Sequence, residues 1–518
     1  MKIELAHTFI ESMAASQPDA CALKMKQDTL SYHGLNQRSA ELATQIAQFV
    51  KVSETCVGMF IEKSIDAVVS IYGILRSDSV YVPMDIKNPL DRLRYIIEQC
   101  EIDTLITTPN QLSKLEEVLG ERLAQTNLIV IEADASLTLK PATSPLPIEK
   151  KGFRVENQNL ATILYTSGST GVPKGVMLTH ACITRFVEWS AQYFALSPED
   201  NCISHAPLHF DLSLFDIFAS HQAGATTVLV PDGMSGNPRY LTKMIEQERI
   251  SVWQSVPSVL VLLLKYGSIE KYDYTHLRQV LFAGEKLSQS NAKKLASYFT
   301  HATLHNIYGA TETNNSFVYS FPASLGDDIP DPLPIGKAYS YVDYMIVSID
   351  GEPCGINEEG ELYVKTPTLM RGYRNNKAYL YESDARHGYF KTNDIVKQLP
   401  DGNVQFCGRA DDVLKSNGYR INLTEIDTVL QSHDKVREVG IFAIPDEEIG
   451  NRIIAYIHAE ADTLSMLELK TYCANHLPHY AVPHVFEITS EPLPKTSSGK
   501  VNKQQLKQLR QENHVETT

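Results

Sequence analysis

The chain has 518 residues, with 62 acidic and 47 basic side chains and a formal net charge of −15. This length predicts two or more domains, and the acidic balance disfavours a nucleic-acid or anionic-membrane binder, since both need a basic face. The chain has no membrane-length apolar run, no signal-peptide pattern and no CxxC pair among its eight cysteines. These features predict a cytoplasmic protein with reduced, mostly buried thiols and no zinc site.

Short buried strands alternate with amphipathic helices along the first two thirds of the chain. Residues 57–61 predict a strand, and residues 65–75 predict a helix because their apolar side chains recur at helical spacing. Residues 128–131 and 226–230 predict further buried strands. Such alternation favours mostly parallel sheets that are covered by helices.

The pattern changes twice after that point. Between about 345 and 406, short strands separated by Asp-Gly and Glu-Gly pairs predict an antiparallel β subdomain. The predicted elements that follow are a helix over 423–432, strands over 436–444 and 453–457, and a helix over 464–476. We therefore expect a large N-terminal α/β domain at 1–408, a linker at 409–412, and a small α+β domain at 413–518 whose polar tail, 511–518, is frayed.

The segment with the clearest chemistry is 164–175, LYTSGSTGVPKG. Its glycines let backbone N–H groups approach an anion closely, its hydroxyls donate hydrogen bonds, and Lys174 supplies positive charge. The spacing differs from the GxxxxGK[ST] P-loop, and no Ser or Thr follows the lysine. This loop predicts a polyphosphate site.

Further motifs follow in a fixed order. They are LSYHGL at 30–35, YVPMD at 81–85, FDLS at 210–213, NIYGATET at 306–313, GEL at 360–362, RGY at 371–373, YFKTND at 389–394, GRAD at 408–411, GYRI at 418–421, LPHY at 477–480 and PKTSSGK at 494–500. With the phosphate loop, this series resembles the adenylate-forming (ANL) superfamily of acyl-CoA synthetases, luciferases and adenylation domains of nonribosomal peptide synthetases. The resemblance covers nearly the whole chain.

The resemblance implies the ANL fold and a two-step reaction. A carboxylate attacks the α-phosphate of ATP to give an acyl-adenylate and pyrophosphate, and a thiol then captures the acyl group as a thioester. Such phosphoryl chemistry asks the protein mainly for positioning and charge neutralisation.

The resemblance also assigns roles to individual residues. The phosphate cradle is Thr166, Ser167, Gly168, Ser169, Thr170, Gly171 and Lys174. The other nucleotide contacts are Asn306 and Tyr308 on adenine, Thr311 on the α-phosphate, Asp394 on the ribose, and Arg409. Glu312 is the implied Mg²⁺ ligand, Lys500 is the catalytic lysine that bridges the carboxylate and the α-phosphate, and Asp411 is the hinge between the domains.

Three positions depart from the family pattern. Lys391 and Asn393 stand where the family has Arg and Gly in YRTGD, and Ala310 stands where it has Pro. Asp394 is intact, so the ribose role is retained, although the turn before it is expected to differ.

Asp211 bears on the choice of acid. In amino-acid-activating members, the Asp of FDxS pairs with the substrate ammonium; the alternative is that Asp211 caps the following helix. The resemblance places the remaining pocket positions at Leu212, Phe215, Ser258, Leu281, Ala283, Gly284, Ile307, Asn315 and Ser316. These residues add no charge, which favours a small, cyclic or neutral polar amino acid and leaves proline, alanine, serine and threonine open. Because Asp211 lies on a different segment from Tyr308, Thr311 and Asp394, we expect it to be independent of the ATP site.

The segment around Asp211 resembles stand-alone prolyl and D-alanyl carrier-protein ligases. No condensation-type segment precedes the motifs and no GGxS motif follows them. This favours a discrete phosphopantetheinylated carrier protein as the acceptor, in antibiotic or other secondary-metabolite biosynthesis. The alternatives are an AMP-forming acyl-CoA synthetase, which Asp211 disfavours, and a non-catalytic nucleotide-binding relative, which the intact Lys174, Glu312, Asp394 and Lys500 disfavour.

Overall fold

The computed structural model describes residues 5–50, 52–143, 158–166, 173–374, 388–410, 413–460, 464–495 and 501–515. These residues group into two compact units. The first lies within Met1–Ile86, Arg94–Tyr165 and Gly175–Ala410, and the second lies within Lys87–Leu93, Thr166–Lys174 and Asp411–Thr518. The domain boundaries expected from the sequence remain predictions.

Several helices begin where the sequence supplies a capping side chain. Ser31 Oγ accepts a hydrogen bond from the backbone N–H of Gly34, and Ser64 Oγ accepts one from that of Ala67, which satisfies donors that a helix start leaves unpaired. The described helices that precede residue 300 are α1 Thr8–Ser16, α2 Tyr32–Phe49, α3 Ile65–Arg76, α4 Leu90–Gln99, α5 Leu112–Leu119, α6 His180–Tyr193, α7 Leu212–Leu214, α8 Ser220–Gln222, α9 Pro238–Gln247, α10 Pro257–Tyr266 and α11 Gln289–Tyr298. A π-helical turn, Phe215–Ala219, joins α7 and α8 into one stretch.

The larger sheet of the first unit has nine strands. They are β1 Cys21–Met25, β2 Asp28–Ser31, β10 Asn201–Ser204, β11 Thr226–Leu229, β12 Val252–Ser255, β13 Gln279–Ala283, β14 Thr303–Ala310, β15 Asn314–Pro322 and β16 Lys337–Ala338. Strands β1, β11, β10, β12, β13 and β14 are parallel neighbours in that order. In such a sheet the loops that bind ligands leave the carboxyl ends of the strands.

A second sheet has eight strands. They are β3 Thr55–Phe60, β4 Ser79–Pro83, β5 Thr104–Thr107, β6 Asn127–Ile131, β7 Leu137–Lys140, β8 Leu160–Thr166, β9 Lys174–Thr179 and β19 Gly372–Tyr373. Buried side chains from both large sheets and from α2, α3 and α6 form one hydrophobic cluster, so the core joins the two sheets. The predicted strands at 57–61, 128–131 and 226–230 and the helix at 65–75 are all present, with ends shifted by a residue or two.

The predicted hairpins form a separate antiparallel sheet. Its strands are β17 Asp343–Val347, β18 Gly360–Lys365, β20 Phe390–Gln398 and β21 Val404–Arg409. Gly351 and Gly402 have positive φ angles in its turns, a conformation that glycine adopts at little cost.

The carboxyl-terminal part of the chain is α+β, as expected. Its elements are β22 Val413–Ser416, β23 Tyr419–Asn422, α12 Leu423–Gln431, β24 Val436–Asp446, β25 Gly450–Ala459, α13 Met466–His476, β26 Val485–Thr489 and α14 Lys503–Val515. Helix α14 continues to Val515, and the expected fraying of the tail from 511 remains a prediction.

Candidate active site

Asp211 and Thr311 meet at the carboxyl edge of the nine-stranded sheet. The Thr311 hydroxyl donates a hydrogen bond of 2.7 Å to Oδ2 of Asp211. Thr311 directly follows β14, and Asp211 lies in the loop after β10, a parallel strand of the same sheet. The two side chains therefore lie together although 100 positions separate them in sequence.

This contact changes two expectations from the sequence. The side chain of Asp211 makes no capping hydrogen bond to the helix that follows it, so the helix-cap alternative is wrong. The expected independence of Asp211 from the ATP-site residues is also wrong, because a hydroxyl has only one proton and Thr311 donates it to Asp211.

Asp394 is held by two donors. It is 5% exposed, its Oδ2 accepts a hydrogen bond from the Tyr308 hydroxyl, and its Oδ1 pairs with the Arg409 guanidinium. Arg409 lies directly opposite on the neighbouring strand. Burial, reinforced by the Asp394 charge, raises the pKa of Tyr308 well above its usual value, so the phenol stays protonated.

The turn before Asp394 keeps a left-handed residue despite the change of residue type. Asn393 has a φ angle of 61°, and asparagine is one of the few residues besides glycine that visits this region readily. Lys391 forms an ion pair with Glu361 at 2.8 Å. The departures from the family pattern therefore retain a positive φ at 393 and a cation at 391.

The strand β14 brings Asn306 and Tyr308 to the same region. The Asn306 Nδ2 donates to the carbonyl of Pro334 at 2.8 Å, and because a carbonyl only accepts, the amide oxygen must face the other way. The ladder between β14 and β15 shifts register between Tyr308 and Gly309. A Cβ on Gly309 would lie 2.2 Å from the backbone oxygen of Asn314, so this bulge requires glycine. Bulges of this kind often aim side chains at a functional site.

Glu312 is buried and held in place. Its side chain is 1% exposed, its Oε1 accepts a 2.7 Å hydrogen bond from the Tyr373 hydroxyl, and its backbone oxygen accepts one from the N–H of Met370. No role was predicted for Tyr373, although it lies in the RGY motif. Its contact with Glu312, 61 positions away, is formed only by the fold.

The oxygen chemistry of Glu312 suits Mg²⁺. In the part of the chain that the structure describes, no three His, Cys, Asp or Glu side chains form a metal site. A single carboxylate fits Mg²⁺, which usually keeps several waters and binds one or two carboxylates together with substrate phosphates.

Five of the predicted pocket positions belong to, or pack against, one hydrophobic cluster. Phe215, Leu281, Ala283 and Ile307 are buried members of one hydrophobic cluster, and Leu212 packs against that cluster. Ala283 lies directly opposite Ile307 on the neighbouring strand.

The polar pocket positions differ in their bonding. Ser258 Oγ is buried without a partner among the described residues, while its backbone N–H donates to Glu285 at 3.0 Å. Ser316 is fully buried, and its hydroxyl lies 3.3 Å from both Thr313 Oγ1 and the backbone oxygen of Asn314. Asn315 is half-buried, and Gly284 has a φ of 97°.

Part of the predicted site lies outside the described residues. These positions are Ser167, Gly168, Ser169, Thr170, Gly171, Asp411 and Lys500. Of the predicted phosphate loop, Thr166 is the last residue of β8 and Lys174 is the first of β9.

Among the described residues, every helix is too short or too polar to cross a membrane. The AMP-binding enzyme family matches residues 10–374, and the AMP-binding enzyme C-terminal domain family matches residues 425–500.

Two relatives match over nearly their full length. An L-proline–[L-prolyl-carrier protein] ligase of Pseudomonas fluorescens is 34% identical over 97% of this chain and 98% of its own. Zwittermicin A synthase ZmaJ of Bacillus cereus is 29% identical over 96% of this chain and 93% of its own.

A solved structure shows the same architecture. The Vibrio cholerae adenylation domain AlmE, in complex with glycyl-adenosine-5'-phosphate, has a TM-score of 0.82 and 22% identity, covering 98% of this chain and 99% of its own. The fold is thus that of adenylate-forming enzymes, with a large N-terminal α/β domain and a small C-terminal domain. The chain therefore belongs to the family of AMP-binding enzymes, and it is an AMP-forming ligase of the adenylate-forming superfamily.

Proposed function

We propose that this enzyme activates an amino acid to aminoacyl-AMP and then loads it onto the phosphopantetheine thiol of a separate carrier protein. The observation that carries the proposal is the Asp211 carboxylate, which lies beside Thr311 while neighbouring positions belong to an apolar cluster. An anion in such surroundings suits a substrate ammonium, since a buried ammonium without a partner would be costly. A fatty or aryl acid has no cation to pair with it.

In the first half-reaction the substrate carboxylate attacks the α-phosphorus of ATP. A new O–P bond forms, and the bond to pyrophosphate breaks. We assign Asp211 to the substrate ammonium and Thr311 to the α-phosphate. Because Thr311 has one proton, the ammonium replaces the Thr311 hydroxyl at Asp211, and the hydroxyl then turns to the phosphate.

The remaining nucleotide contacts are roles that the family resemblance implies, and the side chains described above are compatible with them. Asp394 accepts from the ribose hydroxyls while Tyr308 and Arg409 hold it, and the Asn306 amide oxygen accepts from the adenine amine. Glu312, oriented by Tyr373, would bind Mg²⁺, which would neutralise charge on the phosphates of ATP.

Several parts of the proposal rest on the family resemblance. Residues 166–171 and Lys174 cradle the phosphates, and Lys500 stabilises the charge that develops during adenylation. The domains extend over 1–408 and 413–518, with a hinge at Asp411. In the second half-reaction the carrier thiol attacks the acyl carbon, a thioester forms, and AMP leaves.

We propose a small, cyclic or neutral polar amino acid as the substrate. The pocket positions carry no charge beyond Asp211, and their apolar members are buried in one cluster. The 34% identical relative is a prolyl-carrier protein ligase, which supports proline as the first candidate to test.

The test is ATP–pyrophosphate exchange across a panel of amino acids, followed by loading of a phosphopantetheinylated carrier protein with the best one. We expect exchange with at least one small amino acid and a covalent aminoacyl carrier protein. Exchange only with fatty or aryl acids, or transfer only to free CoA, would instead identify an acyl-CoA synthetase.

A further inference from the structure

A buried lysine contacts the segment that leads to Asp211. Lys63 is 3% exposed and lies three residues after β3. Its Nζ donates to the backbone oxygens of Ser204 at 3.1 Å, His205 at 2.8 Å and Ala206 at 3.2 Å. An ammonium has three N–H donors, and here each has a carbonyl of one continuous segment.

The charge of this lysine is partly balanced by carboxylates. Burial lowers the pKa of Lys63 to about 8, while Asp232 and Asp216 act in the opposite direction. The Lys63 backbone N–H also donates to Asp232 at 3.0 Å. Asp216 is 1% exposed, and burial raises the pKa of its carboxyl well above the usual value. Burying a charge is expensive, so packing alone does not account for a lysine at this position.

The segment held by Lys63 leads directly to the candidate site. Residues 204–206 leave the carboxyl end of β10, and Asp211 follows five residues later. The same segment has two further ties, from the Val230 N–H to Ser204 O at 3.1 Å and between His205 Nε2 and Ser235 O at 2.9 Å. Asp216 lies five residues beyond Asp211. The segment before Asp211 is thus held by several hydrogen bonds, and the buried Asp216 follows the carboxylate.

We propose that Lys63 is a positioning residue for the amino-acid site: its ammonium fixes residues 204–206 so that the following loop places Asp211 at Thr311. Lys63 follows β3 of the second sheet, and the three carbonyls lie at and just after the end of β10 of the first, so this side chain links the carboxyl edges of the two sheets. This inference rests on the proposed role of Asp211 as the ammonium partner.

The test compares Lys63→Met with Arg278→Met. Arg278 is a matched control because it also binds backbone oxygens, those of Phe194 and Ala195 at 3.0 and 2.8 Å, and a carboxylate, Asp200. It directly precedes β13, and so lies at the amino edge of the nine-stranded sheet, whereas Asp211 lies at the carboxyl edge.

We expect Lys63→Met to raise the KM for the amino acid by about 10- to 100-fold, since small displacements in an active site are costly. The KM for ATP should change less than about twofold in both variants, because the displacement is confined to the loop that carries Asp211. Arg278→Met should leave the amino-acid KM unchanged even where it lowers the melting temperature as much. An equal rise in both variants would reduce Lys63 to a general stabiliser.

A double variant separates positioning from charge balance. Lys63→Met with Asp216→Asn removes both buried ionisable side chains, so it should regain stability, and it carries the test if the single variant fails to fold. We expect its amino-acid KM to stay raised, because the three carbonyls are still released. Recovery of both KM and stability would overturn the proposal.

Hydrogen exchange gives a readout that does not need catalysis. Amides of residues 205–214 should exchange faster in Lys63→Met than in the native protein, and not in Arg278→Met. Unchanged protection would overturn the positioning role. If the native enzyme shows no amino-acid-dependent ATP–pyrophosphate exchange, the proposed function is refuted. The hydrogen-exchange test of Lys63 still applies in that case.

Discussion

Replacement of Asp211 by asparagine tests the amino-acid assignment most directly. Asparagine keeps an oxygen that can accept the proton of Thr311, so the variant removes the charge and preserves that hydrogen bond. Asp211→Ala removes both. The pair of variants therefore separates the ammonium site from the support that Asp211 gives to Thr311.

The size of the effect follows from the burial of Asp211. Breaking one half of a buried ion pair costs about 3–5 kcal/mol, and since Asp211 is half-buried before substrate binds, the lower end applies. At about 1.4 kcal/mol per tenfold change, roughly 3 kcal/mol is a loss of about 100-fold in kcat/KM. A deamino analogue, which has no ammonium, should be a poor substrate for the native enzyme and lose much less on mutation.

The assay is pyrophosphate exchange with the amino acid and with its deamino analogue for the native enzyme, Asp211→Asn and Asp211→Ala. The KM for ATP should change little in either variant, because the Thr311 hydroxyl leaves Asp211 and donates to the α-phosphate when the substrates bind. If the native enzyme activates simple fatty or aryl acids as well as any amino acid, the reasoning about the ammonium is refuted.

Three further outcomes are expected. Asp394→Ala should weaken ATP binding without changing the amino-acid preference, since hydrogen bonds to a charged group contribute about 1.5–3 kcal/mol each; calorimetry with a non-hydrolysable ATP analogue measures it, and an unchanged affinity would place the ribose elsewhere. Tyr373→Phe should raise the Mg²⁺ concentration needed for half-maximal exchange by about tenfold, the usual cost of losing a residue that orients a metal ligand; an unchanged requirement would separate Glu312 from the metal. Lys500→Ala should greatly slow adenylation but largely spare thioester formation from supplied aminoacyl-adenylate, and an equal loss in both half-reactions would contradict its assignment to the first.

The elements were predictable where burial imposes a regular spacing. The strand β3 and the helix α3 lie within a residue or two of the positions that apolar periodicity indicates. Helix α14 was not predictable from the sequence, because its residues beyond 510 are polar and form no apolar stripe. The two-residue strand β19 was also not predictable, because only its pairing with β9 makes it a strand.

The side-chain contacts of the site were much less predictable. The motifs indicate which residues face the substrates, but not which of them bind one another. The bond from Tyr373 to Glu312 spans 61 positions, and the one from Lys63 to Ser204 spans 141. Such contacts depend on how separate loops meet at the sheet edges, and local sequence patterns do not predict these meetings.

Departures from the family pattern are best judged by conformation. Asn393 stands in place of glycine, and this change of residue type by itself suggests an altered ribose site. Its φ angle of 61° shows that the turn needs a left-handed residue, and asparagine provides one. The substitution is therefore compatible with this turn, because asparagine and glycine both adopt a positive φ.

The same reasoning changes the view of the pocket. Counted by residue type, Asn315 and Ser316 both offer hydrogen bonds to a polar substrate. In the structure the Ser316 hydroxyl is fully buried and lies 3.3 Å from Thr313 Oγ1 and from the Asn314 carbonyl, so its single proton is already used within the protein. The pocket therefore offers a substrate fewer hydrogen bonds than its residue types suggest. We expect proline or alanine to exceed serine and threonine in the exchange panel; the reverse order would require Ser258 or Asn315 to bind the substrate hydroxyl.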